Sequence, residues 1–76
     1  MDKSKEHGMV KWFDEAKGYG FITPDSNQKD IFFHRSNIDM LERIVDKGER
    51  VEFEVGQGRQ GPEARHVRSL QEEVQS

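Results

Sequence analysis

Two short segments, residues 17–22 and 30–34, carry rings whose spacing points to a binding function. In an extended strand, alternate side chains point to opposite faces. One face of the two segments then carries Tyr19, Phe21, Phe32 and His34, and the other carries Gly20, Ile22, Ile31 and Phe33. The second set is the candidate core, so the rings of the first face solvent unless a partner covers them. Flat rings in a row suit unpaired nucleobases.

The strand before these segments extends the ring-bearing surface. It contains Trp12, and we call the surface formed by Trp12, Tyr19, Phe21, Phe32 and His34 the aromatic face. Phe13 alternates with Trp12, so its ring fits either this face or the interior. Each base stacked on a ring contributes about 1–3 kcal/mol with little dependence on base identity. Three basic residues at the rim are candidate phosphate ligands: Lys11, Lys17 and Arg59.

The elements that must position these residues are short β-strands separated by Gly, Pro, Asn and Asp. The expected strands are 9–13, 19–23, 31–34, 49–55 and 63–70. Glycines at 18 and 20 let the second strand coil tightly beside the Tyr19 ring. Five strands without a long helix leave exposed edges unless the sheet closes, so we predict an all-β, five-stranded barrel.

Burial is predicted from the same alternation. In the clearest strand Val51, Phe53 and Val55 are expected to point inward and the glutamates outward. In the last strand Ala64 and Val67 are the candidate core residues. A single helical or 3₁₀ turn is expected to begin with Ser36 as capping residue and to direct Ile38 into the core. Residues 56–62 are expected to form a flexible loop.

Composition limits the classes of protein that fit. The 76 residues support one domain, expected at 8–70, with flexible polar segments at 1–7 and 71–76. The chain has no cysteine, so it has neither a disulfide framework nor a thiolate metal site. No apolar run approaches the roughly 18 residues that cross a bilayer, and no secretion signal is evident. We therefore expect a cytoplasmic protein with no membrane partner.

A net charge of −3, taken alone, disfavours a nucleic-acid ligand. The excess, however, lies in one segment: residues 36–58 hold three basic and six acidic side chains, whereas basic and acidic side chains balance in 1–35 and in 59–76. The ring-bearing segments are therefore not acidic overall. We expect a binder that depends more on stacking than on charge.

The remaining chemistry-bearing residues predict neither a metal site nor an enzyme. The three histidines have no metal-ligand spacing, and no phosphate loop or nucleophile elbow is present. We expect no cofactor and no catalytic residue. Glu52 and Glu54 fit a solvated strand face, and Arg65 and Arg68 fit surface charges better than an extended nucleic-acid path.

Residues 10–13, 17–22 and 30–34, followed by Gly61-Pro62 before the last strand, resemble the bacterial cold-shock proteins over residues 8–70. The resemblance implies an antiparallel five-stranded OB-fold barrel that binds single-stranded RNA or DNA. It further implies an RNA chaperone that melts weak RNA structure, and a transcription antiterminator that regulates gene expression in cold adaptation. The stacking residues it implies are those of the aromatic face, with Lys11 and Lys17 as polar or phosphate contacts.

Three positions depart from the family pattern. Asp14 replaces the usual Asn, so an amide that donates and accepts becomes an anion that only accepts. Arg35 occupies a commonly aromatic position, where its guanidinium plane can still stack and adds positive charge. Residues 39–44 lack an aromatic found in many members. Asp14 and Arg35 remain predicted contacts, in a footprint slightly shorter or weaker than the family's norm.

A different class of function remains open: a small barrel whose aromatic groove receives an extended or proline-rich peptide. Lysines and a glycine on the ring-bearing strands disfavour it without excluding it. Stacking on the bases does not involve the 2′-hydroxyl, so the sequence does not indicate whether the ligand is RNA or DNA. We expect a monomer, with a strand-exchanged dimer as the open alternative.

Overall fold

The computed structural model describes residues 5–26, 29–39, 45–59 and 61–70. Within these ranges the strands form a closed barrel in the order β1-β2-β3-β5-β4. The strands are β1 Lys5–Asp14, β2 Tyr19–Pro24, β3 Ile31–His34, β4 Arg50–Gly58 and β5 Gly61–Ser69. Neighbouring strands are antiparallel except β3 and β5, which meet in parallel. The predicted closed five-stranded barrel is confirmed.

Apolar side chains from all five strands fill the barrel. Buried in this core are Val10, Ile22, Ile31, Phe33, Ile38, Val45, Val51, Phe53, Ala64 and Val67. Full burial of a Val, Ile or Phe side chain contributes about 1.5–3 kcal/mol, so this cluster is the main source of stability. The inward positions predicted for Ile22, Ile31 and Phe33 are confirmed, as are those of Ile38, Ala64 and Val67.

A β-bulge in β1 sets which side chains of that strand face solvent. Val10 pairs with Ile22, but the next paired residue is Trp12, opposite Phe21, so Lys11 is the extra residue. An extra residue shifts the alternation, and Lys11 and Trp12 are both exposed. Phe13 then turns inward, where its ring stacks on Phe33 with centroids 5.5 Å apart.

Gly20 is required by the close approach of the bulged strand. A Cβ at Gly20 would collide with the carbonyl oxygen of Trp12 and would lie 2.8 Å from the Cα of Phe13. A side chain at this position would push β1 away from β2. The sequence predicts that this glycine lets β2 coil tightly. Its close approach to the bulged strand is the physical reason that a side chain does not fit here.

The barrel closes through the segment that follows β3. A 3₁₀ turn covers Arg35–Asn37, and Ile38 after it is buried and forms a parallel bridge with Val67. The backbone N–H of Asp39 donates to the carbonyl of Val67 at 2.6 Å. The predicted turn and the inward Ile38 are confirmed. The capping residue is His34 rather than Ser36, because the His34 side chain accepts the Ser36 N–H.

Two expectations about β4 were wrong. Val55 was expected in the core but is 47% exposed. Val55 pairs with the buried Ala64 of β5 but is not itself covered by the core, and it lines a groove beside Phe32. The predicted loop at 56–62 is instead mostly strand, because β4 continues to Gly58, which pairs with Gly61. β1 also begins at Lys5, four residues before the expected start.

The ends of the chain and a central segment fall outside the described residues. They include positions 1–4 of the predicted flexible segment 1–7, the predicted flexible segment 71–76, and most of 39–44, the segment without the family's aromatic. Residues 5–7 instead belong to β1 and pair with β4. The expected domain bounds stay predictions.

Candidate nucleic-acid interface

Four aromatic rings form a continuous surface across β1, β2 and β3. The ring centroid of Trp12 lies 5.5 Å from that of Tyr19 and 5.3 Å from that of Phe21. Phe32 completes the surface, with centroid distances of 5.7 Å to Tyr19 and 5.9 Å to Phe21. These distances lie in the range of favourable aromatic pairs, so the rings hold one another in place before any ligand binds.

The strand register explains why these rings meet. Tyr19 pairs with His34, and Phe21 pairs with Phe32 on one side and Trp12 on the other. None of the five residues of the aromatic face is buried, and Trp12 is 37% exposed. Their neighbours on the opposite side of the strands fill the core. The structure therefore brings together the five predicted stacking residues on one solvent-facing surface.

His34 is fixed by a hydrogen bond that also determines its tautomer. The backbone N–H of Ser36 donates to His34 Nδ1 at 3.0 Å, and Ser36 Oγ lies 3.0 Å from the same nitrogen. An imidazole nitrogen that accepts an N–H carries no proton, so the proton of the neutral ring is on Nε2. His34 thus adds to the aromatic face a ring whose Nε2–H is a hydrogen-bond donor.

The turn between β1 and β2 holds Asp14, Lys17 and Arg35 at the Tyr19 end of the aromatic face. Asp14 accepts the backbone N–H of Lys17 on Oδ1 at 3.0 Å and that of Gly18 on its carbonyl at 2.7 Å. Gly18 has a φ of +79°, which suits glycine in this turn. Asp14 therefore has a local structural role, in addition to its predicted contact with a base.

Arg35 lies over the same turn. Its Nη2 donates to the carbonyl of Glu15 at 3.4 Å, and a Cβ at Gly18 would lie 3.1 Å from that nitrogen. Its backbone N–H donates to the Gly18 carbonyl at 2.8 Å. Among the described residues the guanidinium makes this one weak bond, which leaves most of its donors available to a ligand. The structure thus places Arg35 next to His34 at one end of the aromatic face.

Lys11 is held at the opposite end by a carboxylate that we did not include among the site residues. Lys11 Nζ donates to Asp30 Oδ2 at 2.8 Å, and Thr23 Oγ1 donates to Asp30 Oδ1 at 2.9 Å. These bonds, that from Lys11 first, lower the pKa of the Asp30 carboxyl from its usual value. Asp30 shares its face with Phe32 and His34 by the period of two, so the signal was present in the sequence.

A groove beside Phe21 and Phe32 contains two further residues that the sequence did not indicate. It has a volume of about 480 Å³, and Val55 and Pro62 form its other wall. Val55 reaches it because it lies outside the core. The Phe32–Glu63 pairing of β3 with β5 brings Pro62 to this place, and a contact across a barrel closure has no local sequence signal.

Two predicted site residues lie apart from the aromatic face. Phe13 is partly buried against the core, which decides the question that its alternation with Trp12 left open. Arg59 is exposed in the turn that follows β4. A role for either in ligand binding stays a prediction.

Within the described ranges, no group of three or more His, Cys, Asp or Glu side chains is arranged to hold a metal ion. The described residues also contain no helix long and apolar enough to span a membrane.

Comparison with known proteins agrees with this geometry. Residues 6–70 match the 'Cold-shock' DNA-binding domain family. The chain is 50% identical over 64 residues to Cold shock-like protein CspA of Stigmatella aurantiaca. This match covers 83% of this chain and 94% of that protein. It is 48% identical over 68 residues to Cold shock-like protein CspE of Escherichia coli, covering 88% and 99%.

A solved structure shares the fold. The solved structure of drosophila Unr CSD456 superposes with a TM-score of 0.77 at 27% identity, and the match covers 96% of this chain and 30% of that one. The family match spans nearly the whole barrel, including every strand that carries the aromatic face. The chain therefore belongs to the cold-shock domain family of nucleic-acid-binding proteins.

Proposed function

We propose that this protein binds single-stranded RNA and DNA with low sequence selectivity by stacking bases on the aromatic face. The observation that carries the proposal is the contiguous set of exposed rings on β1, β2 and β3. In a duplex the faces of the bases are covered by their neighbours, whereas an unpaired base offers its face to a ring. The ligand class is therefore single-stranded.

The charged side chains around the rings support the proposal. Lys17 and Arg35 lie at one end of the aromatic face and Lys11 at the other, where each can approach a phosphate. Few cations are involved, so the salt dependence of binding is expected to be shallower than that of a basic duplex binder. The His34 Nε2–H adds one donor for an acceptor on a base.

A cellular role follows from stacking without base selection. A protein that prefers unpaired bases shifts weak RNA hairpins toward the open strand by mass action. We therefore propose an RNA chaperone, which acts as an antiterminator where the hairpin would end transcription, in the regulation of gene expression during cold adaptation. This action needs one barrel, so the proposed state is a monomer. Because antitermination acts on transcripts while they are being made, the proposed location is the cytoplasm.

The direct test is quenching of Trp12 fluorescence by matched RNA and DNA oligopyrimidines. Phe21→Ala and Phe32→Ala are each expected to weaken affinity about 5- to 150-fold, which corresponds to about 1–3 kcal/mol per stacked base. Arg68→Gln, at an exposed β5 residue that pairs with Glu52 of β4, is the control and should bind like the unchanged protein. Unaltered affinity in both phenylalanine variants would exclude the proposal.

Two further measurements test the ligand class and the chaperone activity separately. A proline-rich peptide titrated against the same tryptophan signal tests the peptide-binding alternative, which predicts tighter peptide than oligonucleotide binding. A hairpin RNA labelled with a fluorophore and a quencher tests chaperone activity. Opening of the hairpin should require the aromatic face and be lost in Phe32→Ala.

A further inference from the structure

A cleft of about 430 Å³ adjoins the Lys11 end of the aromatic face. Its wall is formed mainly by Met9, Val10, Lys11, Thr23, Pro24 and Lys47. Met9 is 43% exposed, although it is an apolar residue in the middle of β1. The described residues expose two other large apolar side chains, Trp12 and Val55, and both line the aromatic face or its groove.

The cleft continues the aromatic face along the same two strands. The outward pair Trp12–Phe21 is followed along β1 and β2 by the outward pair Met9–Thr23, with the bulged Lys11 between them. On β2, Thr23 lies two residues beyond Phe21, which is about 6.6–6.8 Å along the strand, and Met9 is the partner of Thr23 on β1. The cleft therefore adjoins the aromatic face, within reach of a nucleic-acid strand stacked on the rings.

The charges around the cleft favour a phosphate. Lys47 and Lys11 line it, and Lys11 is paired with Asp30. Asp25 also lines it, but both of its carboxylate oxygens are bound by Arg50, at 2.7 and 2.8 Å. The Asp25 charge is therefore balanced, and Lys47 gives the cleft a net positive charge in an acidic protein.

We propose that the cleft binds one additional nucleotide of the same single strand, with its base against the Met9 thioether and its phosphate beside Lys47. This inference rests on the proposed function. A thioether packs favourably on an aromatic ring system, which a nucleobase provides. The volume falls in the range of small-ligand pockets, and the charge of Lys47 together with the adjoining aromatic face favours a nucleotide as the occupant.

The test is affinity as a function of oligonucleotide length, with a series of oligothymidylates from three to nine nucleotides. For the unchanged protein, affinity should rise until the cleft is filled. Met9→Ala should bind short oligomers normally and lose about 2- to 10-fold for the long ones. Met9 is exposed, so the variant is expected to fold, and circular dichroism checks this.

Lys47→Gln tests the phosphate contact. For long oligomers, the slope of log affinity against log salt concentration should become shallower by about 0.7, the value for one phosphate of a single strand. Lys5→Gln is the matched control, because it removes the same charge from a residue paired with Glu54 away from the cleft. Its slope should equal that of the unchanged protein.

Oxidation of Met9 by peroxide gives an independent measure. Mass spectrometry should show slower sulfoxide formation at Met9 with a long oligothymidylate than with a short one, relative to free methionine in the same tube. Equal protection by both lengths would overturn the inference, as would an identical length dependence in Met9→Ala and the unchanged protein. A dimer lost on Met9→Ala would overturn it in favour of a second copy of the chain.

The two proposals fail in different ways. If no oligomer of any length quenches Trp12, both the proposed function and the additional nucleotide site are excluded. If Phe21→Ala weakens binding at every length and Met9→Ala at none, the function stands and the additional site is excluded.

Discussion

Two outward surfaces of the barrel differ sharply, although both are antiparallel strand pairs built over the same core. The aromatic face on β1, β2 and β3 presents rings in contact with one another. The outer surface of β4 and β5 instead pairs glutamates with arginines: Glu52 opposite Arg68 and Glu54 opposite Arg65. On its other side β4 places the same glutamates opposite His7 and Lys5 of β1.

The difference shows how one barrel can carry a ligand-binding surface and a hydrated surface on different strands. Alternating opposite charges remain hydrated and offer no continuous surface to a flat ligand. Contiguous rings are costly to expose and gain free energy when a ligand covers them. We call the β4–β5 surface defined by Glu52, Glu54, Arg65 and Arg68 the charged face. The following predictions test the contrast, from the largest expected effect to the smallest.

Phe32 and Phe33 are adjacent in β3, and one lies on the aromatic face while the other is buried. Phe33→Ala is expected to lower the free energy of unfolding by about 3–5 kcal/mol because it leaves a core cavity. Phe32→Ala should cost about 1 kcal/mol of stability, mainly from lost ring contacts. Urea denaturation measures both. If Phe33→Ala does not fold, Phe33→Leu keeps the comparison measurable, and equal losses at the two positions would contradict it.

Gly20→Ala tests whether the aromatic face depends on the bulge in β1. The added methyl group meets the Trp12 carbonyl and the Phe13 backbone, so β1 must shift. We expect a loss of about 1–3 kcal/mol in unfolding free energy together with weaker oligonucleotide binding, since Trp12 moves with the strand. Glu54→Ala, on the charged face, should leave binding unchanged. Full affinity in Gly20→Ala would show that the position of Trp12 is not critical.

The charged face is expected to contribute little to stability and nothing to binding. A double-mutant cycle of Glu52→Gln and Arg68→Gln should give a coupling of about 0.2–1 kcal/mol that decreases with added salt. Oligonucleotide affinity should stay within about 2-fold of the unchanged protein. A larger loss of affinity would mean that the ligand path extends around the barrel to β5.

The smallest effect concerns acid pH. Arg50 lowers the pKa of the Asp25 carboxyl from its usual value of 3.8 through hydrogen bonds, and Lys11 does so for Asp30. A carboxyl whose pKa is lowered by folding contributes stability that is complete above 3.8 and is lost as the pH falls through the folded-state value.

Urea denaturation at decreasing pH should therefore show a decline in unfolding free energy below that value. Asp25→Asn and Arg50→Gln should each make the decline shallower, and the double variant should add nothing further. An unchanged acid dependence in Asp25→Asn would show that the pair does not stabilise the folded state. Asp30 lies at the aromatic face, so its protonation should also release Lys11 to solvent.

Much of this architecture was predictable from local alternation. Ile22, Ile31 and Phe33 on one side and Tyr19, Phe21 and Phe32 on the other follow from strand geometry, and the structure agrees. The existence of five strands followed from turn residues between short runs. These signals are local, so the sequence contains them without knowledge of which strands pair.

The residues that the sequence misplaced or did not indicate have a common cause: their surroundings depend on which strands are neighbours. Val55 obeys the alternation of β4 and pairs with the buried Ala64, yet it lines the groove, because alternation does not determine what packs over a residue. Asp30 shares a face with Phe32, yet its bonds to Lys11 and Thr23 depend on the order of three strands. Pro62 reaches the groove only because β5 pairs with β3.

The sequence by itself determined which side of each regular strand is apolar and which carries rings, because the period of two is a property of the extended backbone. Only the tertiary structure decided that Lys11 and Trp12 both face solvent while Phe13 enters the core. A bulge forms where one strand has a residue more than its partner. The facing of side chains beyond it is therefore a property of the pair, and neither strand encodes it alone.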